Sequence, residues 1–96
     1  MRKTLRIAIV DQGASAWNQW RANNPTAKPD FDGLDLSEIP FSGAHLSGSD
    51  LSLVNFSGVN LSKAYLNETC LRGATLRNTN FSGAHLIEAD FRGADL

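Results

Sequence analysis

The chain holds 96 residues, 42% hydrophobic, 8% aromatic and 20% charged, with a formal net charge of −1. That composition makes one small domain with room for a short appendage. It excludes a disordered chain, contains no run near the roughly 18 apolar residues of a membrane span, and lacks the overall basic footprint of a nucleic-acid binder. The one cysteine, Cys70, excludes an internal disulfide framework and fits a reducing compartment.

At the N-terminus Arg2 and Lys3 precede Leu5-Arg6-Ile7-Ala8-Ile9-Val10, and Ala14-Ser15-Ala16 has the small-x-small form of a cleavage site. The apolar stretch is short, Arg6 interrupts it and Asp11 follows it, so it falls below the roughly 7–15 apolar residues of a secretory signal and the expected location is cytoplasmic. Leu5, Ile7 and Ile9 alternate as in a strand, while Leu5, Ile9, Gly13, Trp17 and Trp20 follow helical spacing; for Lys3–Val10 we favour the helix. Ala14–Asn23 reads as a short helix with Ala16, Trp17 and Trp20 on one side and Gln19 and Asn23 polar. Asn24-Pro25 ends it, because the residue before proline avoids the α region. Residues 26–29 read as a linker.

From Phe31 onward every fifth residue is Leu or Phe: Phe31, Leu36, Phe41, Leu46, Leu51, Phe56, Leu61, Leu66, Leu71, Leu76, Phe81, Leu86, Phe91 and Leu96. Two residues before each, from Ala44 on, stands a small or β-branched residue. Ser often follows the large residue, and Gly often comes next. A helix would smear a period of five around its surface, and a flat strand would put successive Leu on opposite faces. A chain that turns a corner every five residues buries both the large and the small position and leaves Gly and Ser at the corners. Four corners close a coil of about 20 residues, and coils stack at the ~4.8 Å spacing of neighbouring strands. The expected columns are Phe31/Leu51/Leu71/Phe91, Leu36/Phe56/Leu76/Leu96, Phe41/Leu61/Phe81 and Leu46/Leu66/Leu86.

Ala44-His45-Leu46-Ser47-Gly48, Ala84-His85-Leu86-Ile87-Glu88 and Ala89-Asp90-Phe91-Arg92-Gly93 resemble the pentapeptide-repeat family, whose consensus is A-[DN]-L-x-x. The resemblance covers residues 30–96. It implies an all-β solenoid, a right-handed quadrilateral β-helix, here with a short N-terminal helical cap: residues 1–29 form the cap and linker and 30–96 the solenoid. Pro29, Leu34 and Ile39 in the small site and Pro40 in the polar site predict a wider, less regular first coil. The string from Gln12 to Arg21, with Asn24-Pro25, is similar to a leader (x-x-W-N-x-W-R…N-P) found before such repeats in cyanobacterial-type proteins. Trp17 and Trp20 are expected to lie as a lid on the first coil, since an open solenoid end exposes apolar side chains and unpaired backbone. A partner-binding surface is the other reading.

Candidate chemistry is sparse. His45 and His85 share a column with Tyr65 between them, two coils or roughly 10 Å apart, too far for one metal whose ligands each lie about 2 Å from it. Cys70 sits in an outward position with Asp50 and Asp90 as column neighbours, which disfavour a thiolate nucleophile. Residues 1–29 carry five basic and one acidic residue, a net +4, and 30–96 carry four basic and nine acidic, a net −5. Family resemblance attaches DNA mimicry toward type II topoisomerases to acidic rods of this kind, but Arg72, Arg77 and Arg92 interrupt the acidic columns and three coils are short for that role.

The expected function is therefore a non-enzymatic protein-binding or scaffold module with an unidentified protein partner. No catalytic, cofactor or metal residues are assigned, and no nucleic-acid or membrane partner. The alternative is a DNA-mimic regulator of a type II topoisomerase. The series stops at Leu96 in mid-coil. This predicts a C-terminal edge that is covered either by further chain or by a second copy.

Overall fold

The computed structural model describes residues 12–96; the expected helix over Lys3–Val10 lies outside them. Helix α1, Ala14–Asn23, is the one helix among the described residues. Its N-cap is Gly13 at φ 97°, with no side-chain cap, and the first helical amide, Ala14 N, donates instead to Pro40 O at 3.0 Å. The first turn of a helix leaves amides without intrahelical acceptors, so this bond fixes α1 onto the repeat region at its first residue. At the other end Asn24 Nδ2 donates to Trp20 O and Pro25 stops the helix.

From Asp30 the chain winds in coils of twenty residues. Parallel bridges join Asp30 to Asp50, Asp50 to Cys70 and Cys70 to Asp90. The same step joins Asp35, Asn55, Thr75 and Asp95, and again His45, Tyr65 and His85. Each rung carries two alternating bonds, as where Leu66 N donates to His85 O (2.8 Å) and His85 N donates to Ala64 O (2.9 Å). A further amide bond at the corner, such as Gly48 N to Asn67 O, completes the stack. The coil length and the corner every five residues follow the period of the apolar series. Extended strands do not form: each contact is an isolated bridge, because the chain bends again before a second bridge can follow.

The corner is a β-turn. Leu34 N donates back to Phe31 O at 3.0 Å, and the third turn residue has positive φ: 67–75° at seven glycines and 59–61° at Leu53, Lys63, Glu68, Asn78 and Glu88. This is the type II arrangement, which places its third residue in the left-handed region and so favours glycine there. Five corners accept the left-handed strain of a non-glycine residue. At Gly73 a Cβ would stand 2.7 Å from Leu53 Cδ2, so the exposed Leu53 side chain would have to turn aside to admit it.

The centre residues from Phe31 to Leu76 are buried, with the small positions Ala44, Val54, Val59, Ala64 and Ala74 beside them. Phe81, Leu86 and Phe91 are half-buried against this core. Leu96, expected inward with the other thirteen, is instead 78% exposed, at the edge of the last described rung. The first coil is irregular where the large residues predicted it. No bridge joins Pro40 to Asn60, whereas Asn60 to Asn80 below it is bridged. Ile39 fills the small site next to that gap, and the turn at Glu38 lacks the positive φ of the others.

Candidate functional site

Three kinds of outer surface result. Where Asp or Asn precedes a centre residue, it commonly folds its own carboxylate or amide oxygen over the corner and accepts the amide two residues on: Asp50 Oδ1 from Ser52 N, Asn55 Oδ1 from Ser57 N and Asn80 Oδ1 from Ser82 N. These are Asx turns, and they give the polar position of the repeat a backbone role. On the first side (column Phe31 to Phe91) the Ser52 hydroxyl donates to Asp50 Oδ1 at 2.6 Å and lies 3.1 Å from Cys70 Sγ. Asp90 there receives both Arg72 and Arg92, and Arg77 pairs with Asp95 on the second side. The Arg72 guanidinium is held above its ordinary pKa by its hydrogen bond to Asp90 and the attraction of that carboxylate. The third side is hydroxyl and amide, with the Ser42 and Ser62 hydroxyls 3.0 Å apart.

The fourth side departs from this pattern. His45, Tyr65 and His85 occupy the position that holds mostly Asp or Asn on the other sides, and the coil spacing lays their rings on one another. The His45 and Tyr65 centroids are 4.9 Å apart edge to face, and Tyr65 and His85 are 4.7 Å apart with planes 3° from parallel. Tyr65 is 41% and Ile87 69% exposed, so an aromatic and aliphatic strip runs down this side. Ile87 was not singled out from sequence; the signal was an apolar residue in the position where Ser usually stands. Its amide takes the Asn67 side-chain oxygen in place of an Asx turn of its own.

Helix α1 fastens to the top of this fourth side. Trp17 is buried, stacks on Trp20 and meets the Phe31 ring edge-on with centroids 5.2 Å apart. Its indole N–H donates to His45 O, Asn18 Nδ2 donates to Gly43 O, Asn18 Oδ1 accepts His45 N, and Arg21 donates to Ser47 O. These three side chains supply the groups that a preceding coil would supply. Trp20 is half-buried and touches the core from outside. Sequence reading picked out the two tryptophans but missed Asn18 and Arg21. Arg21 also donates to Ala27 O and is pushed below its ordinary pKa by burial. Beside it a shallow groove of about 510 Å³ opens between linker residues 25–28 and the corner at Ser47-Gly48 and Asn67-Glu68.

His45 and His85 are separated by Tyr65, and among the described residues no group of three or more His, Cys, Asp or Glu side chains could hold a metal. No helix among the described residues is long and apolar enough to cross a membrane. A family profile for pentapeptide repeats (eight copies) matches residues 41–78 and 71–96. The chain is a pentapeptide-repeat protein. The match begins where the pentapeptide-repeat pattern becomes regular, after Leu34, Ile39 and Pro40. A search of curated proteins returns no match.

Proposed function

We propose that this pentapeptide-repeat protein is a non-enzymatic protein-binding or scaffold module acting in the cytoplasm, and that it binds its partner through the fourth side. The reading takes the coil as the right-handed quadrilateral β-helix that the family resemblance implies and residues 12–25 as a leader of the cyanobacterial type. The observation that carries it is the exposed Tyr65 ring stacked between two histidines with exposed Ile87 on the same side, where the other sides carry mainly Asp, Asn, Ser and paired Arg, with Leu53 and Leu96 as their exposed large apolar residues. Interface centres are enriched in aromatic residues and depleted in charge, and a rigid rung lattice orders such groups before binding. The test is capture from source-cell extract with immobilised protein. Tyr65→Ser with Ile87→Ser should lose the captured protein at unchanged melting temperature, while Ser57→Ala on the second side should not. Equal capture by all three would contradict the assignment.

The topoisomerase-regulator alternative draws on the acidic residues of the first and second sides. It is weakened by Arg72 and Arg92 at Asp90 and by Arg77 at Asp95, which neutralise the lower half of those sides. DNA supercoiling by gyrase should be unaffected at micromolar concentrations of this protein; potent inhibition would favour the alternative.

A further inference from the structure

The Asx turn that recurs around the coil is missing at His45 and Tyr65, because neither ring carries an oxygen near enough to the backbone to fold back over the corner. Each ring leaves an amide behind it. Among the described residues Ser47 N and Asn67 N donate to no oxygen, whereas Ser52, Ser57, Ser62 and Ser82 N are each taken by the Asp or Asn two residues before. The third amide of this column, Ile87 N, is met from the coil above by Asn67 Oδ1 at 2.8 Å. Above Asn67 stands Ser47, which makes no such bond. Above Ser47 runs the linker at Ala27, whose side chain has no acceptor.

Both residues line the groove of about 510 Å³ beside Arg21, and two cations line it with them, Arg21 and the exposed Lys28. Of the five N–H groups of a guanidinium, two donate at Arg21, to Ala27 O (2.7 Å) and Ser47 O (2.9 Å), and the other three have no acceptor among the described residues. No described carboxylate forms an ion pair with Arg21 or Lys28. The contrast lies on the first and second sides. There Arg72 N and Arg77 N also lack an acceptor, but the guanidinium beside each is already held by Asp90 or Asp95.

We propose that this groove binds a carboxylate carried on the side chain of an extended peptide, held by the Ser47 and Asn67 amides and the Arg21 guanidinium, with Lys28 alongside. Backbone amides that turn outward together make an anion-binding concavity, and hydrogen bonds to an ionised acceptor are the strong ones. Charge selects the ligand. Arg21 and Lys28 against Glu68 leave the lining one positive charge in excess, which a carboxylate balances. A phosphate group, with about −1.5 to −2 charges at neutral pH, overshoots that balance and meets Glu68. Size selects its carrier: the volume lies within the ~300–1,000 Å³ of ligand sites, far beyond one carboxylate, and Pro25, Thr26 and Ala27 wall the remainder. The inference stands on the groove alone and does not depend on the strip of Tyr65 and Ile87.

Amide-resolved NMR titration of the whole chain tests it, with the acetylated and amidated peptide Ala-Asp-Ala as probe. The Ser47 and Asn67 amides should shift most, with a dissociation constant on the order of 1 mM. The Asn counterpart of the peptide, acetate and inorganic phosphate should each bind about tenfold more weakly or worse. Lys28→Glu should weaken the peptide about tenfold, while Lys63→Glu, outside the groove, should leave it unchanged. His45→Asn supplies an Asx turn that occupies Ser47 N and should weaken the peptide several-fold, whereas His45→Ala leaves that amide free and should not. Shifts no larger at Ser47 and Asn67 than at Arg72 and Arg77, equal binding of the Asn peptide, or indifference to Lys28→Glu would overturn the site. Acetate or phosphate binding as tightly as the peptide would overturn the ligand assigned to it.

Discussion

Replacing Leu66 by alanine tests the core where it is most constrained. Leu66 is fully buried in the middle of its column, between Leu46 above and Leu86 below. The backbone on either side cannot move in to fill the space, because Leu66 N is tied to His85 O at 2.8 Å and Tyr65 N to Ala44 O at 2.9 Å. Leu-to-Ala changes cost about 2.7–5.0 kcal/mol, rising with the cavity that remains. A site that cannot collapse belongs in the upper half, at about 4–5 kcal/mol. That is a large part of the ~5–14 kcal/mol expected for a domain of this length, and corresponds to a fall in melting temperature of roughly 15–40 °C. Leu86→Ala removes the same atoms from the half-buried last turn, where solvent already reaches the side chain and no new cavity is enclosed. It should cost about 1–2 kcal/mol. Urea unfolding followed by circular dichroism measures both. Equal costs at the two positions, or less than about 1 kcal/mol at Leu66, would refute a core built of stacked, non-collapsing columns.

Ser49 is 1% exposed and its hydroxyl has no hydrogen-bond partner; Ser49→Ala should be neutral or stabilise by up to about 1 kcal/mol in the same assay, and a loss above 1 kcal/mol would contradict the orphaned hydroxyl. Glu68 holds φ 61° at a corner position where glycine stands elsewhere; Glu68→Gly relieves left-handed strain against a gain in chain entropy, so unfolding should shift by less than about 1 kcal/mol, against a loss of well over 1 kcal/mol for Glu68→Val. Asn18→Ala removes two bonds to the first coil and should cost about 1–3 kcal/mol; an unchanged melting temperature would mean that α1 does not hold the coil end. The Asp35 carboxyl is held below its ordinary pKa, first by the Ser37 side chain and then by the Ser37 amide. A depressed carboxyl stabilises the fold above the unfolded value of about 3.9, and this is lost as the pH falls through and below that value, so acid titration should show a decline that Asp35→Asn makes shallower.

The period of the coil was legible because one side-chain property, a large apolar residue at every fifth position, has a single geometric solution, and the bridges repeat at twenty residues as that solution requires. The disturbance at Pro40 was legible for the same reason: Ile39 is too large for the site that Ala and Val fill elsewhere. The corners were legible only in part. Gly marks a left-handed residue from sequence, but Leu53, Lys63, Glu68, Asn78 and Glu88 adopt the same conformation because the stacking of the coils imposes the turn, and no local propensity announces that. The backbone role of the Asp and Asn residues was hidden behind their polarity. The attachment of α1 depends on where Asn18 and Arg21 meet carbonyls more than twenty residues away, which helical periodicity does not encode. On the fourth side the ladder of His45, Tyr65 and His85 could be read from the column, whereas the exposure of Ile87 required the structure.

The measurement closest to the central claim is the pattern of nuclear Overhauser contacts around Tyr65 in a labelled sample. Stacked twenty-residue coils put the Tyr65 ring 4.9 Å from the His45 ring and 4.7 Å from the His85 ring, centre to centre. Cross-peaks from the Tyr65 ring to both histidine rings, accompanied by contacts between Asn55 and Thr75 across one rung, are the predicted result. Contacts at any other sequence separation, or Tyr65 signals free of both histidines, would contradict the coil and with it the binding face proposed on it.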